Sequence, residues 1–156
     1  MYFSMTFFIS SPFYFNTMLK HKTYSFEKLD VWKESGKLAL EIYLLTNKFP
    51  SEEKFGLVSQ MRRCCISISS NLAEGTSRIS FADQARFTEI SFGSTMELLN
   101  HLILSFDLQF LIEEKLNQIR LSIDSIANKL NALRNSQLVG YGNMKRRDST
   151  NKRINK

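Results

Sequence analysis

The sequence predicts an all-α protein folded as an antiparallel up-down four-helix bundle. Four segments carry apolar residues at the three- and four-residue spacing of an α-helix, short breaks separate them, and no strand pattern competes convincingly. Helices of about 22 to 28 residues would each be about 33 to 42 Å long at 1.5 Å per residue. Matched lengths joined by short loops place consecutive helices side by side and antiparallel.

A proline separates the first two helices. The first is predicted to run from Phe26 to Phe49, because Pro50 cannot continue it. Ser51, followed by two glutamates, is typical of an N-cap, so the second helix is expected to begin directly. The apolar side of the first helix is predicted to contain Leu29, Trp32, Gly36, Ala39, Tyr43 and Thr46, flanked by Leu38, Ile42, Leu45 and Phe49.

The sequence also predicts where the third and fourth helices begin and end. Gly75 is expected to end the second helix, and Ser80 with Asp83 resembles a capping box that begins the third. The fourth is predicted from about Glu113 to Arg134. The core candidates are Phe81, Ala85, Phe92, Met96, Leu99, Ile103 and Phe106 in the third helix and Leu116, Ile119, Ile123, Ile126, Leu130 and Leu133 in the fourth.

Two flanking segments stand apart from the bundle, which is assigned to residues 23–136. Residues 1–22 lack both the basic start of a signal peptide and the uninterrupted apolar length of a membrane span, so they are interpreted as disordered or misassigned. Translation is hypothesised to start at Met18, which would make Met1 to Thr17 upstream sequence. Residues 137–156 have little to bury and are predicted to form a flexible basic tail.

The net charge of +6 is concentrated in those flanks. Residues 23–135 contain 13 basic and 14 acidic side chains, a net −1, whereas residues 1–22 contribute +2 and residues 136–156 contribute +5. Phosphate binding by the bundle would therefore need local clustering of its arginines, with help from the tail. The alternative is a solvated helix face and a solubilising tail. The candidate cations are Arg62, Arg78, Arg86, Lys145, Arg146, Arg147, Lys152, Arg153 and Lys156.

One stripe of the second helix is polar although its surroundings are apolar. The apolar neighbours are at the same spacing, which indicates a helix buried on more than one side. Ser94 and Glu97 of the third helix are the expected hydrogen-bond partners, with Arg63 buried; a ligand or RNA site is the alternative. The small pair Gly93 and Ser94 would let another backbone approach, near Ser67 and Ser70. The polar stripe consists of Gln60, Arg63, Ser67, Asn71 and Glu74, beside Leu57, Met61, Cys64, Ile68 and Leu72.

The sequence does not favour an enzyme. It contains no glycine-rich phosphate loop, no HExxH, no G-x-S-x-G and no Cys or His cluster with ligand spacing. His21 precedes the bundle, and His101 follows Glu97 by one residue more than the Glu-x-x-His pairs of dimetal bundles require. Cys64 and Cys65 are adjacent, so their side chains diverge and are interpreted as reduced thiols of a cytosolic protein. No catalytic residue, metal or cofactor is expected.

Residues in three of the helices carry a family resemblance. They are Phe26, Leu29, Val31-Trp32, Phe49-Pro50, Gly56-Leu57, Gln60, Arg63, Ser67-Ile68, Asn71, Ala73-Glu74-Gly75, Gly93-Ser94 and Glu97-Leu98. The chain from about Phe26 to Arg134 resembles the 23S rRNA intervening-sequence proteins, and the combination Q-x-x-R-x-x-x-S-I-x-x-N-x-A-E-G is its most specific part. The resemblance implies a four-helix bundle that assembles into a ring-like homo-oligomer, a pentamer. Similar bundles accompany the reverse transcriptases of diversity-generating retroelements as nucleic-acid-binding accessory proteins.

Two functions follow from the residues and the resemblance. The preferred interpretation is a cytoplasmic, non-enzymatic homo-oligomer that binds structured RNA or DNA through flank and rim cations. The alternative is a scaffold that docks a partner protein without nucleic acid. Salt separates the two, because phosphate binding weakens steeply with salt and an apolar protein interface barely responds.

Overall fold

The computed structural model of the chain describes residues 21–154, and within that range the fold is all-helical, as predicted. The four α-helices are α1 (Asp30–Thr46), α2 (Leu57–Thr76), α3 (Phe81–Asp107) and α4 (Glu113–Ile154). Each helix packs against the next, and α1 also packs against α4, as in a four-helix bundle. The hypothesised start at Met18 and the candidate cation Lys156 lie outside the described residues.

The core lies where the four helices meet, and α4 supplies it as predicted. Leu116, Ile119, Ile123, Ile126 and Leu130 are buried, and Leu133 packs against them at the edge. In α1 the predicted apolar face is confirmed in part, because Leu38, Ile42 and Thr46, and Phe49 just beyond the helix, are buried as expected. Gly36 and Tyr43 are exposed there, and the buried residues are Val31, Ser35, Leu38, Ile42 and Thr46.

The buried face of α3 also differs from the prediction. Of its core candidates only Ala85 is fully buried, and the large side chains stand at the margins or, for Phe106, at the surface. Hydroxyl groups occupy much of the face that meets the other helices, because they need little space and find carbonyl partners there. Four of them donate to the carbonyl oxygen four residues earlier on α3, and Ser91 donates to a carbonyl oxygen of α2. The fully buried face consists of Ala85, Thr88, Ser91, Ser94, Thr95, Leu98, Leu102 and Ser105.

Helix α2 begins later than predicted. Ser51 starts a short 3-10 helix, Ser51–Lys54, and α2 itself begins at Leu57 with no side-chain cap from Ser51. The carboxylate of Glu53 accepts a hydrogen bond from the Leu57 amide at 3.0 Å, so an acid supplies the cap. At α3 the predicted capping is confirmed, because Ser80 Oγ accepts from the Asp83 amide at 3.0 Å.

The predicted end of α4 at Arg134 is wrong, because the helix continues to Ile154. At 1.5 Å per residue its 42 residues span about 63 Å. Gln137 is buried, with its amide oxygen 2.9 Å from the hydroxyl of Thr88. Gly140 lies against the ring of Phe81, the first residue of α3. These two contacts hold α4 to α3 beyond the predicted end, and the helix then extends past the start of α3.

Ion pairs join α1 to α4 along their shared groove. Lys129 and Ser125 both donate to the carboxylate of Glu34, and Lys115 donates to Glu41 at 2.6 Å. The hydrogen bond from Lys129 holds the pKa of Glu34 below its ordinary value of 4.5. No helix in the part of the chain that the structure describes is long and apolar enough to cross a bilayer.

Candidate functional site

The polar stripe of α2 meets α3 at the two expected partners. Arg63 donates to Glu97 Oε1 at 2.6 Å and to Gln60 Oε1 at 3.0 Å. The hydroxyls of Ser67 and Ser94 are 2.9 Å apart, so they share a hydrogen bond between the two helices. This half of the stripe, together with Ser94 and Glu97, therefore joins α2 to α3.

The other half of the stripe serves α2 itself. Asn71 donates to the carbonyl oxygen of Ser67 at 2.8 Å, and Glu74 pairs with Arg78 one turn further along. The expectation of a buried arginine is wrong, since the Arg63 side chain is 62% exposed and that of Glu97 is 40% exposed. Because α3 covers only one edge of the stripe, the guanidinium reaches its partner at the surface.

A cluster of metal-binding residue types lies beside the Arg63–Glu97 pair. Cys64 of α2 and Glu97 and His101 of α3 each offer one ligand atom, and these three atoms all lie within 4.8 Å of one another. Sequence reasoning dismissed Glu97 and His101 on their own spacing. It missed the cluster because the third member comes from a different helix, and only the packing of α2 on α3 brings it close.

The histidine of this cluster is unusual in its hydrogen bonding. Both ring nitrogens of His101 are buried, and neither has a hydrogen-bond partner among the described residues. The His101 Nε2 atom and the Glu97 Oε1 atom are 3.8 Å apart, which is beyond hydrogen-bond distance. A buried polar group without a hydrogen-bond partner lowers the free energy of unfolding by about 1 to 3 kcal/mol. A ligand that bonds this imidazole would remove that cost.

The two cysteines are free and buried, as the prediction of reduced thiols requires. Burial, with the Glu97 carboxylate close by, raises the pKa of the Cys64 thiol to about 12. Burial likewise raises the pKa of Cys65 to about 11, and its Sγ lies 3.2 Å from the carbonyl oxygen of Arg62. Both thiols are therefore protonated at neutral pH and are poor nucleophiles as they stand.

Two of the three bundle arginines considered for nucleic acid already bind other groups. Arg62 donates to Thr46 Oγ1 at 2.9 Å and to the Asn47 amide oxygen at 2.8 Å, and it stacks over the Tyr43 ring. Arg62 thus fastens α2 to the end of α1. Arg78 is paired with Glu74 and stacks over a phenylalanine ring of α3.

The remaining candidates are Arg86 of α3 and the cations near the end of α4. Arg86 is exposed on α3. Lys145 lies over the ring of Tyr141 at 5.9 Å, near the end of α4. Four further cations follow on the same helix within the described residues: Arg146, Arg147, Lys152 and Arg153.

An apolar hollow between α1 and the start of α4 was not predicted. It has a volume of about 610 Å³ and is lined by Leu44, Leu45, Phe110, Leu111 and Ile112, with charged residues at its edge. We call this the α1–α4 hollow. Leu44 and Ile112 are each 68% exposed. The sequence carried a signal for it, since the predicted core of α1 contained more apolar residues than one buried face can hold.

These features define a four-helix-bundle protein with a polar stripe between two helices and a long fourth helix. Residues 27–132 match the family model described as 23S rRNA-intervening sequence protein, and the chain belongs to that family. A similar solved structure is a protein with unknown function of the S23 ribosomal protein family from Bacteroides thetaiotaomicron. It is 24% identical, with a TM-score of 0.63 over 67% of this chain and 95% of the other, and so supports the fold. No curated protein matches the chain.

Proposed function

We propose that this protein is a cytoplasmic, non-enzymatic homo-oligomer, a pentamer, that binds structured RNA or DNA through the end of α4. The observation that carries the proposal is the position of the positive charge. Five basic residues stand within residues 145–153, on a helix that extends past the first residue of α3. The bundle itself is close to neutral, so the end of α4 is the main source of positive potential.

The spacing of these cations suits a phosphate backbone. Lys145 and Lys152, like Arg146 and Arg153, are seven residues apart, which is about two turns of a helix and about 10 Å. Contacts of this kind bind phosphate without reading base sequence, so RNA and DNA are both candidate ligands. The family resemblance to accessory proteins of diversity-generating retroelements supports the same class of ligand.

Assembly would strengthen such contacts. Copies of the α4 end held on one ring raise the effective concentration of each for the same nucleic acid, so weak phosphate contacts combine. Exposed leucines support a self-association surface along α1 and α4. Leu44 of α1 and Leu121 of α4 are 68% and 72% exposed, and a second copy could cover them.

The test is a charge-neutralising variant with a matched control. In the test variant the five cations of residues 145–153 become glutamine, which keeps good helix propensity. In the control, five exposed cations of the bundle become glutamine, so the change in net charge is the same: Lys28, Lys37, Lys48, Lys54 and Arg120. A third variant, Arg86→Gln, measures the exposed bundle arginine separately. Binding of labelled hairpin RNA and duplex DNA is followed by fluorescence anisotropy at two salt concentrations.

We expect the native protein to bind in a salt-sensitive manner. The affinity of the test variant should be lower by at least about tenfold, and that of the control variant should change little. Each phosphate contact removed should reduce the slope of log affinity against log salt by about 0.7 to 0.9. Equal losses in the test and control variants would show that net charge alone matters and would contradict a role for the α4 end. No binding by the native protein at low salt would reject nucleic-acid binding altogether.

The α1–α4 hollow favours one alternative, a scaffold that docks a partner protein without nucleic acid. Its apolar lining and volume of about 610 Å³ suit an apolar side chain or a short helical segment of a partner. Binding there would be insensitive to salt. A partner recovered at high salt by the native protein but not by Leu44→Glu would favour the scaffold.

A further inference from the structure

We propose that Cys64, Glu97 and His101 form a binding site for a divalent transition-metal ion of the zinc type. The site is separate from the end of α4 and does not depend on nucleic-acid binding. It joins α2 to α3 beside the Arg63–Glu97 ion pair.

The packing of α2 on α3 brings the three ligand side chains together. Glu97 and His101 are four residues apart on α3, so their side chains lie on the same face one turn apart. Cys64 comes from the facing turn of α2, and all three ligand atoms are within 4.8 Å of one another. Zinc bonds of about 2.0 to 2.3 Å at tetrahedral angles need ligand atoms about 3.3 to 3.7 Å apart. Side-chain rotations that bring the atoms about 1 Å closer would meet that requirement.

The unsatisfied imidazole is the second observation. Both nitrogens of His101 are buried without a partner among the described residues, and a metal ion would satisfy one of them. Buried polar groups in folded proteins are normally hydrogen-bonded, so an imidazole with both nitrogens unpaired is unusual. The Glu97 carboxylate oxygen Oε1 is 3.8 Å away, a distance that leaves the ring unpaired.

The ligand chemistry selects the ion. A thiolate, an imidazole and a carboxylate together suit Zn²⁺ or Co²⁺, whereas Mg²⁺ and Ca²⁺ prefer oxygen ligands alone. Three protein ligands leave one position of a tetrahedral ion for water. Arg63 donates to Glu97 Oε1 at 2.6 Å and so fixes the orientation of this carboxylate beside His101.

Binding must release one proton. The Cys64 thiol is neutral at pH 7, and the S–H bond breaks as the sulfur–metal bond forms, with the proton passing to solvent. The charged side chains that act on this sulfur are the Glu97 carboxylate and the Arg63 guanidinium.

The experiment uses the full-length protein without an affinity tag, and Co²⁺ as the spectroscopic probe. A thiolate bound to tetrahedral Co²⁺ gives a sulfur-to-metal charge-transfer band in the near ultraviolet and d–d bands in the visible. Zinc affinity is then measured by displacement of the cobalt. The test variants are Cys64→Ser and His101→Gln, and the matched control is Cys65→Ser, which changes the neighbouring buried cysteine outside the cluster. Circular dichroism first establishes that each variant is folded.

The native protein and Cys65→Ser should bind one Co²⁺ per chain with the charge-transfer band, and Zn²⁺ should displace it. His101→Gln should weaken zinc binding by more than about 100-fold, the upper effect of losing an outer-shell partner. Cys64→Ser should abolish the charge-transfer band. If Cys64→Ser does not fold, His101→Gln still decides the matter, because that imidazole makes no hydrogen bond among the described residues. Absence of the band in the native protein, or its loss in Cys65→Ser but not in Cys64→Ser, would overturn the proposal.

Discussion

Single hydroxyl and amide groups give this bundle its interhelical register. Ser91 donates to the carbonyl oxygen of Ile68 at 2.9 Å, and Ser67 bonds Ser94 at the same distance. Both bonds cross from α3 to α2 at buried or half-buried positions. Apolar contacts alone would tolerate a shift along the helix, whereas these bonds form at one register only.

The exposure of Arg63 lowers the loss of stability that its removal is expected to cause. Its side chain is mostly exposed, and exposed ion pairs contribute about 0 to 1 kcal/mol. Arg63→Ala should therefore lower the free energy of unfolding by no more than about 1 kcal/mol, measured by urea denaturation. Gln60→Ala is a control, because it removes only the neutral hydrogen bond to the same guanidinium. A loss above about 2 kcal/mol would mean that Arg63 is buried in the assembled protein and bonds more than Glu97.

Sequence spacing placed the polar stripe and its partners Ser94 and Glu97 on facing helices, because charged and hydroxyl side chains in an apolar helix need partners. The spacing could not predict how deeply these side chains are buried, because their burial depends on how α3 is rotated relative to α2. That rotation is set by small residues, and a helical period cannot distinguish a small buried position from an exposed one. For the same reason the buried serines and threonines of α3 were absent from the predicted core.

At the scale of the helices, Gly75 is a position where α2 packs closely on α3. A Cβ atom added there would lie 2.9 Å from Phe87 Cβ, closer than real side chains pack. Gly93, which the sequence marked as a place for close approach, has nothing within 4 Å of an added Cβ. The close contact therefore lies at the glycine that was predicted only to end α2.

This contrast gives a paired prediction. Gly75→Ala should destabilise the protein by about 1 to 2 kcal/mol, because overpacking exceeds the gain in helix propensity. Gly93→Ala should stabilise it by up to about 1 kcal/mol, because only the propensity term applies. Urea denaturation at one protein concentration measures both. Destabilisation by Gly93→Ala would show that another chain covers this position in the assembly.

Helix ends show what sequence signals can and cannot decide. The capping box of α3 is local, so Ser80 and Asp83 were enough to predict it. The end of α4 is decided by contacts far apart in the chain, between Gln137 and Thr88 and between Gly140 and Phe81. Two glycines and a polar composition suggested an irregular tail, but those contacts hold the helix where local propensity would end it.

At the scale of the whole molecule, the exposed leucines of α1 and α4 are candidates for the contact between copies of the chain. If the α1–α4 hollow and its surroundings form the contact between copies, Leu44→Glu should shift the protein to a smaller species, because a buried unpaired carboxylate is costly. Sedimentation velocity measures the change. Ile79→Glu is the control, since Ile79 is fully exposed between α2 and α3 and lies outside the hollow. Equal behaviour of the two variants, with the native mass retained, would place the contact between copies elsewhere.

The extended α4 also changes how a basic segment would meet a nucleic acid. A flexible tail loses backbone entropy when it binds, on the order of 1 to 2 kcal/mol for each residue that becomes fixed. A helix that continues from the bundle has its first turns already formed, so it avoids the nucleation step that limits short isolated helices. The fold has therefore met part of the ordering cost before any ligand arrives. The helical segment can contact fewer positions than a flexible tail of the same length, because its cations are fixed along the axis of α4.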